Sequence, residues 1–290
     1  MQGIIVIDKP AGFTSQDTVS KVKKLLNVKK AGHAGTLDPM ATGVLPIMLG
    51  NYTKFSKYLI EHDKIYTAKV RLGQKTTTGD AEGEVIEEKP IKEYTDSYLR
   101  RLVRTCIGKQ LQTPPMYSAV KVNGKKLYEY ARSGDEVEVA PREVEIYDIE
   151  FSDYNRETKE LKFVVSCSKG TYIRVLCENI AEKLGTVGYM SELRRVKVDR
   201  YDLDVAVKLN VLERFKDDPE FIESKILGID SVFPRATRIL LPEQRLEAFL
   251  NGVKIKTTEE DGVYIVCNSY GIRLGTGIVK DKLLKRDVIL

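Results

Sequence analysis

The apolar residues of this 290-residue chain come in short bursts. Residues 4–7 (IIVI) and 44–49 (VLPIML) are clear examples, and between such bursts the pattern shifts to helical spacing or to clusters of glycine, proline and charge. A burst of that length can cross a β-sheet but not a bilayer, whose core needs about 20 helical residues. Short strands and amphipathic helices must therefore bury one face each against one another, which leads to a layered fold. With 42% hydrophobic residues there is enough apolar material for one large core, or for one domain with a small module attached. Met1 leads into a strand-type run rather than into a basic-then-apolar leader, so a cytoplasmic chain without membrane contact is expected.

Residues 3–8 (GIIVID) read as a buried strand. The turn DKPAGFTS follows, ends in an N-cap at Thr14 or Ser15, and opens an amphipathic helix over residues 16–26. Residues 65–72 predict a strand, 95–105 a helix opened by Thr95, and 143–151 with 161–166 an antiparallel pair across a polar turn. Helical spacing returns over 172–184. These elements predict the α+β class, an antiparallel or mixed central sheet flanked by helices, in a main domain over residues 1–232. Residues 113–140 carry Pro114, Pro115, Gly124, Gly134 and many charges but too few apolar residues to bury themselves, and read as a projecting insertion. From about residue 233, short β-rich runs (GVYIVC, GIRLGTGIVK, RDVIL) alternate with Gly and Asn turns, which predicts a small β-barrel-like module over 233–290.

Lys and Arg number 47 against 42 Asp and Glu, a formal net charge of +5, and the placement of the charges says more than their sum. Lys121, Lys125, Lys126 and Arg132 interleave with Tyr128 and Tyr130, while Arg194, Arg195, Lys197 and Arg200 fall close together. Cations that neutralise phosphates beside tyrosines that stack on bases suit an RNA surface; an ordinary solvated hairpin has the same composition, so charge leaves both readings open. Cys106, Cys167, Cys177 and Cys267 stand in separate contexts, and only His33 and His62 could join them as ligands. No metal site is expected, and the thiols should be reduced and mostly buried, including Cys177 in the apolar pattern VLCENI.

The stretch best suited to chemistry is residues 30–46, KAGHAGTLDPMATGVLP. Gly32, Gly35 and Gly43 allow tight backbone geometry, Pro39 stiffens the residue after Asp38, and an apolar strand follows. A carboxylate in such a loop can act as nucleophile or base, or can cap the turn through its own backbone, and the residues alone leave both open. A phosphate cradle is disfavoured, because no Gly-Lys-Ser/Thr follows and the glycine spacing is not that of a dinucleotide loop.

DKPAGFTS, GHAGTLDPMATGVLPIMLG, DKIYTA, GQKTTTGDAEG, PPMYSAVKVNGKKLYEYAR, SKGTYIR and LRRVKV, in this order, resemble the bacterial TruB family of tRNA pseudouridine synthases. The likeness runs from about residue 3 to residue 205, and the C-terminal segment is similar to the PUA module that the family usually carries. The resemblance implies the pseudouridine synthase fold and an isomerase acting on the T-loop uridine at conventional tRNA position fifty-five. Such an enzyme flips the base out of its stack, breaks the N1–C1′ bond, rotates the uracil and rejoins it through C5. By the same resemblance Asp38 is the catalytic carboxylate, Arg174 the cation that keeps it ionised, and no cofactor or metal is needed. Tyr66 resembles the tyrosine that stacks on the target base, His33 the residue that fills the vacated space, and Leu193 the apolar wall of the uracil pocket. Tyr172, Lys9 and Asp80 resemble positions that support the site and its RNA contacts. The implied partner is the T-arm of tRNA, clasped by Lys121, Lys125, Lys126 and Arg132 of the insertion, with no protein partner required and a monomeric chain. The sequence departs from the family pattern at Ala34, Met40, Thr77, Asn179, Ala181, Asp199 and Tyr201, where Thr, Leu, Asp, Asp, Gly, Gly and Phe are frequent.

Overall fold

The computed structural model describes residues 1–60, 62–135 and 137–290, with the side chain of Arg132 outside that description. Its main feature is a mixed ten-stranded sheet. Eight strands follow one another in the order Val207–Lys208, Gly3–Lys9, Thr42–Leu49, Gly188–Val198, Lys64–Leu72, Glu160–Cys167, Arg142–Asn155 and Gly108–Gln112. Ala31–His33 pairs with Thr42–Leu49, and Tyr201–Asp202 with Gly188–Val198. Two junctions run parallel: Gly3–Lys9 with Val207–Lys208, and Thr42–Leu49 with Gly188–Val198.

The parallel seam in the middle positions the site. At that seam Arg194 lies opposite Thr42 and Arg195 opposite Gly43. Gly43 has φ of 104°, and a Cβ there would come 2.1 Å from the Arg195 carbonyl oxygen, so glycine alone lets the two backbones approach. Gly3–Lys9 is buried on both faces and reads as a continuous apolar run, whereas Lys64–Leu72 alternates buried and half-buried residues. The helix Ser15–Leu25 is opened by Thr14 in a capping box with Asp17 and buries Val19 and Val22. The helix Ile173–Lys183 buries Ile173, Leu176, Cys177 and Ile180, one apolar stripe, against Gly188–Val198 and Lys64–Leu72. Each of those fully buried aliphatic side chains contributes about 1.5–3 kcal/mol, which pins the first turn of the helix to the sheet.

A second, five-stranded sheet has the order Arg238–Leu241, Gly262–Asn268, Arg273–Lys280, Leu283–Ile289, Ile255–Lys256, with the helix Glu243–Leu250 beside it. Ile265, Cys267 and Val288 from this sheet share one apolar cluster with Ile4, Val6, Val44 and Met48 of the first. The Phe233 ring meets Tyr58 edge-on at 4.8 Å and Phe55 at 5.6 Å. The four cysteines are free and buried, as expected, with Cys177 in the core.

Two expectations need correction. Residues 30–46 are not one loop: Ala31–His33 and the stretch from Thr42 onward already belong to the sheet, so only residues 34–41 are loop. Glycine and alanine hid that edge strand, since it carries no apolar alternation. The insertion is less bare than its composition suggested. It folds into a ribbon, Lys121–Val122 with Lys125–Lys126, and a helix, Leu127–Ser133, and Leu127 is wholly buried. Among the described residues no helix is long and apolar enough to cross a membrane.

Candidate active site

Asp38 sits in the loop that feeds the parallel seam, and that loop is stitched down from both sides. The Leu37 N–H donates to Ser15 Oγ at 2.8 Å, and Ser15 Oγ donates to the Leu37 carbonyl at 3.1 Å. The Gly12 N–H donates to the Pro39 carbonyl at 3.0 Å. Lys9, fully buried, donates its ammonium to the carbonyls of Pro10, Phe13 and Pro39. From the sheet side, buried Arg195 donates Nε to Val44 O at 2.8 Å, Nη2 to Gly35 O at 3.2 Å and Nη1 to Thr36 O at 3.3 Å. Two buried cations thus fix the backbone on either side of Asp38 through carbonyl oxygens rather than through carboxylates.

Arg174, in the first turn of the helix Ile173–Lys183, is 5% exposed and reaches four acceptors. Its Nε lies 3.3 Å from Asp38 Oδ2 and its Nη1 3.5 Å from Asp80 Oδ2. Nη1 also donates to the Thr78 carbonyl at 3.1 Å, and Nη2 to the Tyr117 carbonyl at 2.7 Å. Asp80, itself buried, accepts from Thr78 Oγ1 at 2.5 Å and from the Glu82 N–H at 3.1 Å. A guanidinium at a helix N-terminus opposes the helix dipole, and the two carboxylates beside it reverse that penalty.

Burial raises the Asp38 carboxyl above its ordinary value; the Arg174 cation opposes this, Asp80 adds to the rise and Lys9 opposes it. Burial also lowers the Lys9 ammonium to about 8. The Tyr66 phenol is raised by burial, with Arg195 countering, and His33 is lowered by burial and by the same Arg195.

A cavity of about 550 Å³ opens above Asp38, within the range of small-ligand sites. Asp38, Arg174, Tyr66, Leu193, Tyr172 and Arg195 form its walls, and Ser118 to Val120 of the insertion close one side. Of the residues that the resemblance places at the site, five therefore share the cavity: Asp38, Tyr66, Arg174, Leu193 and Tyr172. Lys9 and Asp80 stand behind it as supports. His33 lies on the edge strand beside the loop and does not line the cavity. On the insertion, Lys121 is exposed, the Lys125 ammonium rests 4.4 Å over the Tyr130 ring, and Lys126 donates to the Tyr128 hydroxyl at 3.2 Å. None of the three lines the cavity.

In sequence Arg195 stands with Arg194, Lys197 and Arg200 in a basic stretch whose charge left a phosphate-binding and a solvated reading open, and the structure gives the three arginines different surroundings. Arg195 is the buried clamp just described. Arg194 forms a two-pronged pair with Asp8 at 3.0 and 2.9 Å, and Arg200 pairs with its neighbour Asp199 at 2.9 Å. The signal for Arg195 was its spacing: two residues from Leu193 on one strand, it shares the cavity face, whereas Arg194 points the other way.

Residues 23–173 match the family model described as TruB family pseudouridylate synthase (N terminal domain), and residues 174–233 match the tRNA pseudouridylate synthase B C-terminal domain. The chain belongs to the TruB family. Among TruB relatives, the tRNA pseudouridine synthase B of Psychrobacter cryohalolentis is 42% identical over 265 residues, covering 90% of this chain and 73% of that protein. That of Stutzerimonas stutzeri is 41% identical over 285 residues, covering 97% and 92%. The backbone is also similar to the crystal structure of a Cbf5-Nop10-Gar1 complex, with a TM-score of 0.71 at 23% identity over 99% of this chain and 83% of that one. That likeness concerns the fold: the pseudouridine synthase sheet with helices, and a C-terminal curled sheet of PUA-like form. The ion pair joins the two matched TruB regions, since Asp38 and Asp80 fall in the first and Arg174 opens the second.

Proposed function

We propose that this chain isomerises the T-loop uridine of tRNA to pseudouridine, with Asp38 as the reacting carboxylate. One observation carries the reading: Asp38 and Arg174, 3.3 Å apart, face a cavity that is also walled by Tyr66 and Leu193. The target base leaves its stack, at a cost of a few kcal/mol, and its uracil lies between the Tyr66 ring and Leu193. Asp38 then adds to C6, attacks C1′, or removes the C2′ proton to give a glycal. In each route the N1–C1′ bond breaks, a C5–C1′ bond forms, the C5 proton leaves to solvent and N1 takes one up, so no electrons are gained or lost. The stack of Tyr66 and Leu193 keeps the detached uracil from diffusing away while it turns.

His33, at the rim of the loop, braces the space that the base leaves. Tyr172 borders the ribose, and Lys9 and Asp80 hold the loop and the guanidinium. Lys121, Lys125, Lys126 and Arg132 clasp the T-arm, residues 1–232 form the catalytic domain, and residues 233–290 form a separate RNA-binding module. The protein acts as a monomer in the cytoplasm, without a partner protein. The test is to incubate the purified protein alone with an unmodified tRNA transcript, digest it and separate the nucleosides by chromatography. One pseudouridine per tRNA is expected from the native protein and none from Asp38→Asn. A tRNA left unmodified by the native protein contradicts the reading.

A further inference from the structure

Four buried side-chain groups make no hydrogen bond among the described residues: His33 Nδ1, Gln112 Nε2, Ser118 Oγ and Ser191 Oγ. Of these residues only Ser118 lines the cavity above Asp38. It is 7% exposed, and its backbone is committed: the N–H donates to Met116 O at 2.9 Å and the carbonyl accepts from the Tyr128 N–H at 3.1 Å. The residue before it is fastened to the ion pair. Tyr117 O accepts from Arg174 Nη2 at 2.7 Å, on the same edge of the guanidinium whose Nε faces Asp38 Oδ2 at 3.3 Å. The insertion is thus tied to the reacting carboxylate one residue ahead of Ser118, which places residue 118 in the cavity wall next to the residue that touches Arg174.

Resting on the functional reading above, we propose that Ser118 is a substrate-binding residue whose hydroxyl hydrogen-bonds the ribose 2′-hydroxyl of the uridine in the cavity. A hydroxyl removed from water without a partner is unfavourable until a partner arrives, and a polar group of the ligand in the cavity can be that partner. The bond to be broken ends at C1′, so the ribose must lie against Asp38, while the uracil lies between Tyr66 and Leu193. Whatever adjoins Asp38 on the Arg174 edge therefore adjoins the sugar. A 2′-hydroxyl both donates and accepts, as serine does, and the pair can satisfy each other in either orientation. The same contact tells RNA from DNA at the target position.

The experiment measures equilibrium binding of two T-arm hairpin RNAs, carrying uridine or 2′-deoxyuridine at the target position, to D38N protein, in which no turnover intervenes. The D38N protein is expected to bind the ribose form about fivefold more tightly, and the D38N/S118A protein to bind both forms equally. In the otherwise native protein, S118A lowers kcat/KM on the ribose hairpin by a similar factor. A preference that survives S118A, or no preference in the D38N protein, overturns the proposal. Failure of the functional reading shows separately, as a native protein that makes no pseudouridine from the same hairpin.

Discussion

At the scale of single residues, Arg174 does what no other side chain type could. It serves Asp38, Asp80 and the carbonyls of Thr78 and Tyr117 from one planar group. Lysine offers one nitrogen, so R174K should lower kcat/KM by about 100-fold and cost about 1–3 kcal/mol of stability, read from steady-state kinetics and thermal unfolding. The carboxylate carries a different signature. Its folded-state value is raised, chiefly by burial, so the native state holds that proton more tightly than the unfolded chain, and the ionised form costs stability at neutral pH. D38N should therefore unfold at or above the native melting temperature while losing at least about 10³-fold in turnover. In the proposed reaction Asp38 acts in its ionised form, so the acid limb of kcat/KM should fall above the ordinary aspartate range. Asp80 adds to the rise, so D80N should move that limb to lower pH. A limb unmoved by D80N would mean that the two carboxylates do not sense one another.

At the scale of elements, much was legible because local chemistry and tertiary demand agree. Thr14 and Thr95 cap the helices they were expected to open, and the strands Lys64–Leu72 and Glu160–Cys167 carry the alternation of a half-buried sheet. The site was legible only in part. Asp38, Tyr66, Arg174 and Leu193 come from four separate segments, and the family resemblance supplied their roles where spacing could not. What stayed hidden was long-range: that Arg195 turns inward to hold residues 35–44, that Gly43 makes room for it, and that Ser118 closes the cavity wall. Gly43→Ala would drive a Cβ into the Arg195 carbonyl at a positive φ, and should cost at least about 2 kcal/mol or abolish folding, read by denaturant unfolding. On the insertion, reversing the charges of Lys125 and Lys126 should weaken T-arm binding and flatten the dependence of log K on log salt by up to about 2. Stability should be nearly unchanged, because both side chains are surface groups resting on tyrosine rings.

At the scale of the whole molecule, the two sheets are joined by an apolar cluster with one buried polar knot. Burial alone would raise the Asp287 carboxyl, but hydrogen bonds from Lys57, Tyr58 and Thr276 carry it below its ordinary value. A depressed carboxylate contributes stability that is present above its unfolded value and lost as pH falls through its folded one, so acid should loosen this junction first. Asp287→Ala would leave the fully buried Thr276 hydroxyl unpaired and should cost about 2 kcal/mol, seen as an earlier thermal transition of the C-terminal sheet. The central claim is that Asp38 moves the glycosidic bond of a bound uracil from N1 to C5, which expels the C5 hydrogen. The most direct measurement is tritium release from a tRNA whose T-loop uridine is labelled at C5. The native protein should release one tritium per tRNA, and Asp38→Asn none while binding the tRNA equally well. Undiminished release from Asp38→Asn, or no release by the native protein from a tRNA it binds, would contradict the account.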